Sequence, residues 1–445
     1  MRETLLIRGG TVVTMDAERR VVSADLLVVD GRIAAIGSSS DARLPPATRV
    51  LDVQGHAVMP GFVQAHVHLC QALFRGMADD LPLLEWLRER IWPLEAAHDD
   101  ASLGASARLG LAEMLRAGTT TILDMGTVHG HDAVMSAIAE SGMRAVSGKA
   151  MMDTGDAVPK RLRETTRASL RESEELAGRW DGAADGRMSY AFAPRFVLSC
   201  SSALLRGAAE LARARGAIVH THAAEHAAER EAVRRALGKE DVAALAELGI
   251  SGPRAVMAHG VQLGEREMRD IARAGTRFVH CPSANLKLAS GIADVVEMRR
   301  AGIVVGLGAD GAPCNNRMDP WTELRQAALL AKTKRSDAAA MPAMDALALA
   351  TIEGARVLGL EREIGSLEVG KRADLAVVSL DELHTIPGGS AASRLVYACT
   401  PADVRHVVVD GRLVVRDREL RTLDEARVRA DATAQGKSIV SRARI

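Results

Sequence analysis

Short apolar runs alternate with amphipathic stretches, rich in Ala, Arg and Glu, through the middle of the chain. The runs have the length of strands, and the stretches between them have the length and spacing of helices. The eight runs cover residues 58–63, 119–125, 144–151, 188–193, 217–221, 254–258, 276–281 and 303–309. Continuous apolar strands, each followed by a helix, predict a parallel sheet covered by helices. Eight repeats favour a closed, distorted (β/α)8 TIM barrel over an open sheet.

Both chain ends show a different pattern, in which short β-like runs are separated by glycine turns. Asp30-Gly31 and Asp410-Gly411 each lie between two such runs, which is typical of a hairpin. We therefore expect the two ends to pair into one small β-sandwich domain. The predicted organisation is a first sandwich part at 1–57, a metal-dependent barrel at 58–362, and a second sandwich part with a terminal helix at 363–445.

Charge and composition narrow the class of partner. The 57 Lys and Arg residues balance the 57 Asp and Glu residues, and no basic block stands out. The sequence therefore predicts no nucleic-acid polymer and no membrane surface as a partner, but a small molecule. No run of 18 uninterrupted apolar residues predicts a membrane span.

The five cysteines are scattered and never form a C-x-x-C pair, which suits a reducing cytoplasm. The first residues lack the apolar block of a signal peptide. We therefore expect a cytoplasmic protein.

Two histidines come directly after the first predicted strand. His66 and His68 are two residues apart, so that both side chains project to the same side of an extended chain. This spacing suits two ligands of one metal ion, although a lone His-x-His is weak on its own.

Other polar residues follow three more of the predicted strands. His222 and Glu225 follow the fifth run, His259 the sixth and Asp310 the eighth. Because the carboxyl ends of all barrel strands lie at one face, we expect these side chains to converge with the first two histidines. Imidazole and carboxylate ligands suit a borderline divalent ion such as Zn²⁺ or Fe²⁺.

These motifs, together with the flanking β domain, resemble the amidohydrolase superfamily. The Glu three residues after His222 places the resemblance in the branch that holds guanine, methylthioadenosine/S-adenosylhomocysteine and 5′-deoxyadenosine deaminases and triazine hydrolases. No carbamylated lysine that would bridge two metals is evident, so the resemblance implies one divalent ion, with Zn²⁺ as first choice and Fe²⁺ or Mn²⁺ as alternatives. The implied metal ligands are His66, His68, His222 and Asp310.

The resemblance implies a hydrolytic deamination of a 6-aminopurine nucleoside. His259 and Asp310 would orient a metal-activated water and take its proton, while Glu225 would protonate a ring nitrogen. Deaminases of the H-x-E and C-x-x-C design are excluded because the chain has no C-x-x-C.

The substrate contacts follow from the same resemblance. Glu95, in Trp-Pro-Leu-Glu, would accept ribose hydroxyls, and Arg161 would add a further contact. Lys149 would do so from a neighbouring subunit, in a homodimer or homotetramer. We favour a nucleoside with a small 5′ group, such as 5′-deoxyadenosine or 5′-methylthioadenosine, with S-adenosylhomocysteine and adenosine left open.

Two residues favour another substrate. Gln71 and Arg195 lie at positions where guanine deaminases read the carbonyl edge of a purine, so a guanine deaminase or an s-triazine amino- or chlorohydrolase is the alternative. A catalytically silent assembly protein would have lost ligands, and none is lost. His280 is expected just behind the site, whereas His220 and Asn285 receive no catalytic role.

Overall fold

The computed structural model describes residues 4–38 and 48–444. Strands in this part of the chain are β1 (Leu5–Val13), β2 (Val21–Val29), β3 (Arg32–Gly37), β4 (Arg49–Asp52), β5 (His56–Pro60), β6 (Phe62–Val67), β7 (Thr119–Met125), β8 (Arg144–Gly148), β9 (Ala150–Met151), β10 (Met188–Pro194), β11 (Ile218–Ala223), β12 (Ala255–His259), β13 (Arg277–His280), β14 (Val305–Leu307), β15 (Leu375–Ser379), β16 (Val404–Val409), β17 (Arg412–Arg416) and β18 (Glu419–Leu420).

The α-helices are α1 (Leu83–Trp86), α2 (Trp92–Ala96), α3 (Asp100–Arg116), α4 (His131–Ser141), α5 (Thr166–Trp180), α6 (Ala183–Gly186), α7 (Ser202–Arg215), α8 (Ala227–Leu237), α9 (Asp241–Glu247), α10 (Glu265–Ala274), α11 (Pro282–Lys287), α12 (Val295–Arg300), α13 (Ala312–Asn315), α14 (Pro320–Arg335), α15 (Ala343–Leu349), α16 (Ile352–Leu358), α17 (Ala391–Tyr397) and α18 (Glu425–Ala443). A π-helical turn at Leu87–Ile91 joins α1 to α2, and 3₁₀ turns lie at Leu69–Phe74, Lys160–Leu162, Val197–Ser199 and Pro401–Asp403.

Local signals in the sequence start and stop these helices. Asp99 precedes α3, and its carboxylate accepts the backbone N–H of Ser102 in a reciprocal capping box. At α7 the hydroxyl oxygen of Ser201 accepts the backbone N–H of Leu204, and the helix ends at Gly216, whose φ of 63° is left-handed. Helix boundaries are therefore encoded by residues that lie next to them in the sequence.

Eight parallel strands form the closed barrel that the alternating pattern predicts. They run in the order β11, β12, β13, β14, β6, β7, β8 and β10, and pairing between β10 and β11 closes the ring. The predicted (β/α)8 fold is confirmed. The carboxyl ends of the strands consequently share one face.

The first barrel strand begins later than the predicted run at 58–63. The chain divides at Gly61: His56–Pro60 pairs with Leu375–Ser379 in the second sheet, and Phe62–Val67 enters the barrel. A Cβ on Gly61 would lie 2.1 Å from Thr120 Cγ2, so that only glycine allows this close passage between the sheets. The shift places His66 inside the strand and His68 just beyond it.

Both chain ends pair into one separate sheet, as predicted. Its nine strands run β18, β17, β16, β15, β5, β1, β2 and β3, with β4 beside β1. A buried ion pair between Arg144 Nε of β8 and Asp374 Oδ2, 2.7 Å long, links this sheet to the barrel. The domain boundaries at 57 and 362 stay a prediction.

None of the helices in residues 4–38 and 48–444 has the length and apolar character needed to cross a membrane.

A buried chain of hydrogen bonds supports the barrel next to the histidine motif. Asp124 in β7 accepts the N–H of Leu69, at 2.9 Å, and the hydroxyl of Ser147, at 2.7 Å. The ring Nε2 of His131 lies 3.1 Å from the same hydroxyl. Burial raises the pKa of Asp124 to about 6, because two hydrogen bonds do not fully replace the lost water.

This shift predicts a pH-dependent stability difference between the wild type and Asp124→Asn. The raised pKa means that Asp124 stabilises the fold fully below its unfolded pKa, near 3.9, and that this contribution is lost as the pH rises through about 6. Asparagine stays neutral throughout. Relative to the wild type, the variant should therefore gain about 2 kcal/mol in free energy of unfolding between pH 4 and pH 7. Urea unfolding at both pH values measures this, and an unchanged difference would contradict it.

Candidate active site

Four of the sequence-predicted residues meet at the carboxyl end of the barrel. His66 and His68 come from β6 and the turn after it, His222 from β11, and Asp310 follows β14. One ligand atom from each lies within 4.8 Å of those of the other three. The Nε2 atoms of His66 and His68 are each 3.3 Å from Asp310 Oδ1. The structure thus brings the whole predicted ligand set together.

Backbone carbonyls orient two of these imidazoles. His68 Nδ1 lies 2.7 Å from the carbonyl oxygen of Met125, and His222 Nδ1 lies 2.8 Å from that of Arg195. A carbonyl only accepts, so both Nδ1 atoms carry hydrogen and both Nε2 atoms carry a lone pair. Those Nε2 atoms face each other at 3.2 Å.

The third imidazole is oriented by a histidine that the sequence analysis left without a role. His220 donates from Nδ1 to the carbonyl of Val256 at 3.1 Å, so its Nε2 accepts from His66 Nδ1 at 2.7 Å. His66 Nε2 is then a bare lone pair, buried and without a hydrogen-bond partner. The i, i+2 spacing of His220 and His222 on one strand was the available signal, since both face the barrel interior.

Burial keeps these rings neutral. It lowers the pKa of His66 to about 4 and that of His68 to about 3, and it lowers the pKa of His222 strongly. Converging lone pairs in a dry site are unfavourable unless a cation lies between them. Neutral imidazoles and a carboxylate are the donors that a divalent transition metal takes, so the residues present fit such an ion.

A fourth histidine faces this cluster from β12. His259 Nδ1 lies 2.9 Å from Asn285 Oδ1 and donates to it, which leaves the Nε2 lone pair buried without a hydrogen-bond partner. That Nε2 is 3.5 Å from Glu225 Oε2 and 3.9 Å from Asp310 Oδ2. His259 and Asp310 both have left-handed backbone, with φ of 81° and 62°. Such strain is often concentrated at functional sites.

The surroundings of Glu225 favour its protonated form. Burial raises its pKa well above the usual range, and the negative charge of Asp310 raises it further. A carboxyl that keeps its proton near neutral pH can donate it to a bound molecule. Asn285, whose amide oxygen accepts from His259, had no predicted role. His280, which was expected just behind the site, ends β13 and is buried.

The cluster opens into a cavity of ≈ 380 Å³ that has a polar floor and an apolar wall. The predicted contacts Gln71 and Arg195 both line it. The full lining is His68, Gln71, Leu83, Trp86, Leu87, Arg195, Phe196, His222, Glu225, His259, Leu288 and Asp310.

Glu95 lies directly behind this floor. Its two carboxylate oxygens accept from Arg195 Nη1 at 2.6 Å and from Gln71 Nε2 at 2.8 Å, and all three side chains are buried. From the sequence, Glu95 favoured a nucleoside substrate, whereas Gln71 and Arg195 favoured guanine or an s-triazine. In the structure they form one network.

Two predicted substrate contacts do not line the cavity. Arg161 is exposed and donates to the carbonyl of His98 at 3.3 Å. Lys149 is fully buried, with Nζ 2.5 Å from Glu164 Oε1 and 2.6 Å from Glu172 Oε2. A substrate contact of Lys149 in a neighbouring subunit's site stays a prediction. The ion pairs of Lys149 with two carboxylates do not support it.

Comparison with known proteins adds the family to this geometry. The model of the Amidohydrolase family matches residues 57–414. The chain belongs to the amidohydrolase family.

Full-length relatives of this amidohydrolase carry deaminase names. A 5-methylthioadenosine/S-adenosylhomocysteine deaminase of Halobacterium salinarum is 40% identical over 100% of both chains. A 5′-deoxyadenosine deaminase of Methanothermobacter thermautotrophicus is 39% identical over 95% of this chain and 96% of its own. The crystal structure of an adenosine deaminase from Xanthomonas campestris with bound zinc superposes with a TM-score of 0.92, at 35% identity over 98% of each chain.

The ligand geometry of this amidohydrolase predicts the effect of Asp310→Asn. After loading with zinc and dialysis, the wild type should retain one zinc per chain. The variant should retain much less, because an amide replaces the only anionic ligand. Elemental analysis measures the ratio. His384→Asn is the control and should bind zinc as the wild type does, because His384 lies in the turn after β15, pairs with Asp403 and is not part of the ligand cluster. Full zinc in Asp310→Asn would refute the ligand set.

Proposed function

We propose that the chain is a metal-dependent deaminase that hydrolyses the 6-amino group of adenosine-type nucleosides with a small apolar 5′ group. 5′-Deoxyadenosine and 5′-methylthioadenosine are the substrates of this kind. One observation carries the proposal: the Glu225 carboxyl, whose pKa burial raises, lies 3.5 Å from the bare Nε2 of His259 beside the ligand cluster. The names of the relatives support the same reaction class.

The two groups have complementary tasks in such a reaction. A bound divalent ion supplies a lowered water pKa, about 7 instead of 15.7. His259 Nε2 accepts the proton of the attacking water, and Asp310 Oδ2 helps to orient it. Glu225 donates its proton to the ring nitrogen next to C6, so that the amidine carbon accepts the oxygen. The amino group takes up the proton held by His259 and leaves as ammonia as the C6–N bond breaks, and the hydroxyl proton on the new C6 oxygen returns to Glu225.

The network behind the floor supports a ribose-bearing substrate. A carboxylate offers about four acceptor positions, and Arg195 and Gln71 occupy two of those on Glu95. We assign the other two to vicinal hydroxyls, which would have to reach past Gln71 and Arg195 because Glu95 does not line the cavity. Arg195 Nη1 lies 2.6 Å from Glu95 Oε2, so the buried carboxylate has a charged partner.

The wall of the cavity supports an apolar 5′ group. Apolar side chains form it: Leu83, Trp86, Leu87, Phe196 and Leu288. Arg195 is the only Lys or Arg among the lining residues, and Glu95 already neutralises it. A charged amino-acid tail, as in S-adenosylhomocysteine, would find no free cation on this wall.

The alternative is a guanine deaminase or an s-triazine hydrolase. It is favoured by one observation: Gln71 and Arg195 line the cavity, whereas Glu95 does not. The experiments below separate the two readings.

Substitution of the proton donor tests the chemistry. Glu225→Gln keeps the shape of the side chain but has no transferable proton, so kcat for 5′-deoxyadenosine should fall by about two to four orders of magnitude. Ammonia release measures the rate, with bound zinc measured in parallel. Glu247→Gln, a change of the same kind on the exposed surface, should keep wild-type activity. Full activity of Glu225→Gln would remove the proposed role.

A substrate-and-variant cycle tests the ribose contact. The wild type should process 5′-deoxyadenosine about 10 to 100 times better, in kcat/KM, than its analogue without the 2′ and 3′ hydroxyls, because hydrogen bonds to a charged group are lost. Glu95→Ala should abolish this preference, whatever it does to overall activity. If guanine or a chlorotriazine is processed best and Glu95→Ala leaves the substrate order unchanged, the alternative reading holds.

A further inference from the structure

A buried carboxylate outside the cavity connects two of the loops that form the site. Glu323, on α14, is 1% exposed. It accepts the backbone N–H of Ser283 at 3.0 Å and also the hydroxyl of the same serine. It accepts from Asn315 Nδ2 at 2.8 Å. These three hydrogen bonds join Glu323 to two segments that are separate in the sequence, one at Ser283 and one at Asn315.

The first of these loops carries the partner of the proposed base. Ser283 lies in the first turn of α11, and Asn285 lies two residues later in the same helix. Asn285 accepts from His259 Nδ1 at 2.9 Å, while its own Nδ2 is buried without a partner. Among the described residues the amide has no second hydrogen bond, so its contact with His259 Nδ1 depends on the placement of α11.

The second loop leads to the carboxylate of the site. Asn315 Nδ2 donates at 2.7 Å to the carbonyl of Ala309, the residue before Asp310, and also reaches Glu323. One carboxylate thus anchors the segments on both sides of the water position that His259 and Asp310 would share.

The tautomer of His259 depends on this placement. With the oxygen of Asn285 toward Nδ1, the ring keeps its hydrogen there, and Nε2 is free to accept a proton. If α11 moves and that contact is lost or reversed, the hydrogen can reside on Nε2, and the ring is no longer a base at that position.

We propose that Glu323 is a positioning residue of the deamination: it holds α11 so that Asn285 keeps the Nε2 lone pair of His259 directed at the reacting water. The inference rests on the proposed function for its kinetic part only.

Glu323→Gln is the direct test, because it keeps the size of the side chain but turns one acceptor oxygen into a donor that faces other donors. Asp403→Asn is the matched control. Asp403 is also buried and accepts from a backbone N–H, that of Thr400 at 2.7 Å, and from its hydroxyl, but it lies in the 3₁₀ turn before β16 of the second sheet. Each variant is made in the zinc-loaded full chain, alone and together with Asn285→Ala.

If Glu323 positions His259, its substitution should lower kcat without changing KM or metal content. Glu323→Gln should lower kcat by about 10- to 100-fold, with KM and bound zinc close to the wild type. In the Asn285→Ala background it should cause little further loss, since both changes act on the same imidazole. Asp403→Asn should leave kcat unchanged. A lower melting temperature with unchanged kcat, additive losses in the double variant, or loss of zinc would each overturn the proposal.

A spectroscopic readout works without any substrate. In protein labelled with ¹⁵N at histidine, the ring signals of His259, assigned by comparison with His259→Asn, should show hydrogen on Nδ1 in the wild type. Glu323→Gln should shift them toward the other tautomer. An unchanged tautomer would overturn the inference. If the wild type deaminates no nucleoside, the proposed function fails, while these spectra still decide the role of Glu323.

Discussion

The arrangement of the site depends on one constraint: the Nδ1 atom of each buried imidazole in the ligand cluster has a hydrogen-bond partner, which fixes where its Nε2 lone pair points. Each imidazole of the ligand cluster uses Nδ1 on a carbonyl or on another ring, so that its Nε2 can only face the centre. The resulting set of bare lone pairs and one carboxylate is unfavourable without a cation. Burial raises the pKa of the Glu225 carboxyl well above its usual range, and the charge of Asp310 raises it further.

The barrel supplies these partners through its parallel register. The carbonyl of Val256 in β12 accepts from His220 in β11, and the two residues are paired in the sheet. Side chains that are far apart in sequence are thus oriented by hydrogen bonds to the adjacent strand. The orientation of the imidazoles in the site therefore depends on the pairing of the barrel strands.

Much of this was accessible from the sequence, and the reasons differ by residue. The ligand set follows from strand-end positions, since parallel strands place their carboxyl ends together, and the closed barrel is confirmed. The start of the first barrel strand was predicted wrongly because Val58 and Val63 are both apolar, and hydrophobicity does not reveal that Gly61 passes between two sheets.

Other parts of the site could not be read from the sequence. Asn285 and Glu323 act through loops whose meeting is decided by tertiary packing, and neither lies in a motif that spacing makes visible. The hydrogen-bond network of Glu95, Arg195 and Gln71 could not be predicted for the same reason, since Glu95 and Arg195 lie 100 residues apart in the sequence. Lys149 was predicted as a substrate contact from the resemblance, and the sequence does not reveal that its ammonium group lies between the carboxylates of Glu164 and Glu172.

The most direct measurement is the fate of 5′-deoxyadenosine when zinc-loaded protein acts on it in water enriched in oxygen-18. Mass spectrometry of the nucleoside and an assay of ammonia follow the same sample. The account predicts 5′-deoxyinosine with one oxygen-18 at C6 and an equal amount of ammonia. Unchanged substrate, or release of free adenine in place of the deaminated nucleoside, would contradict it.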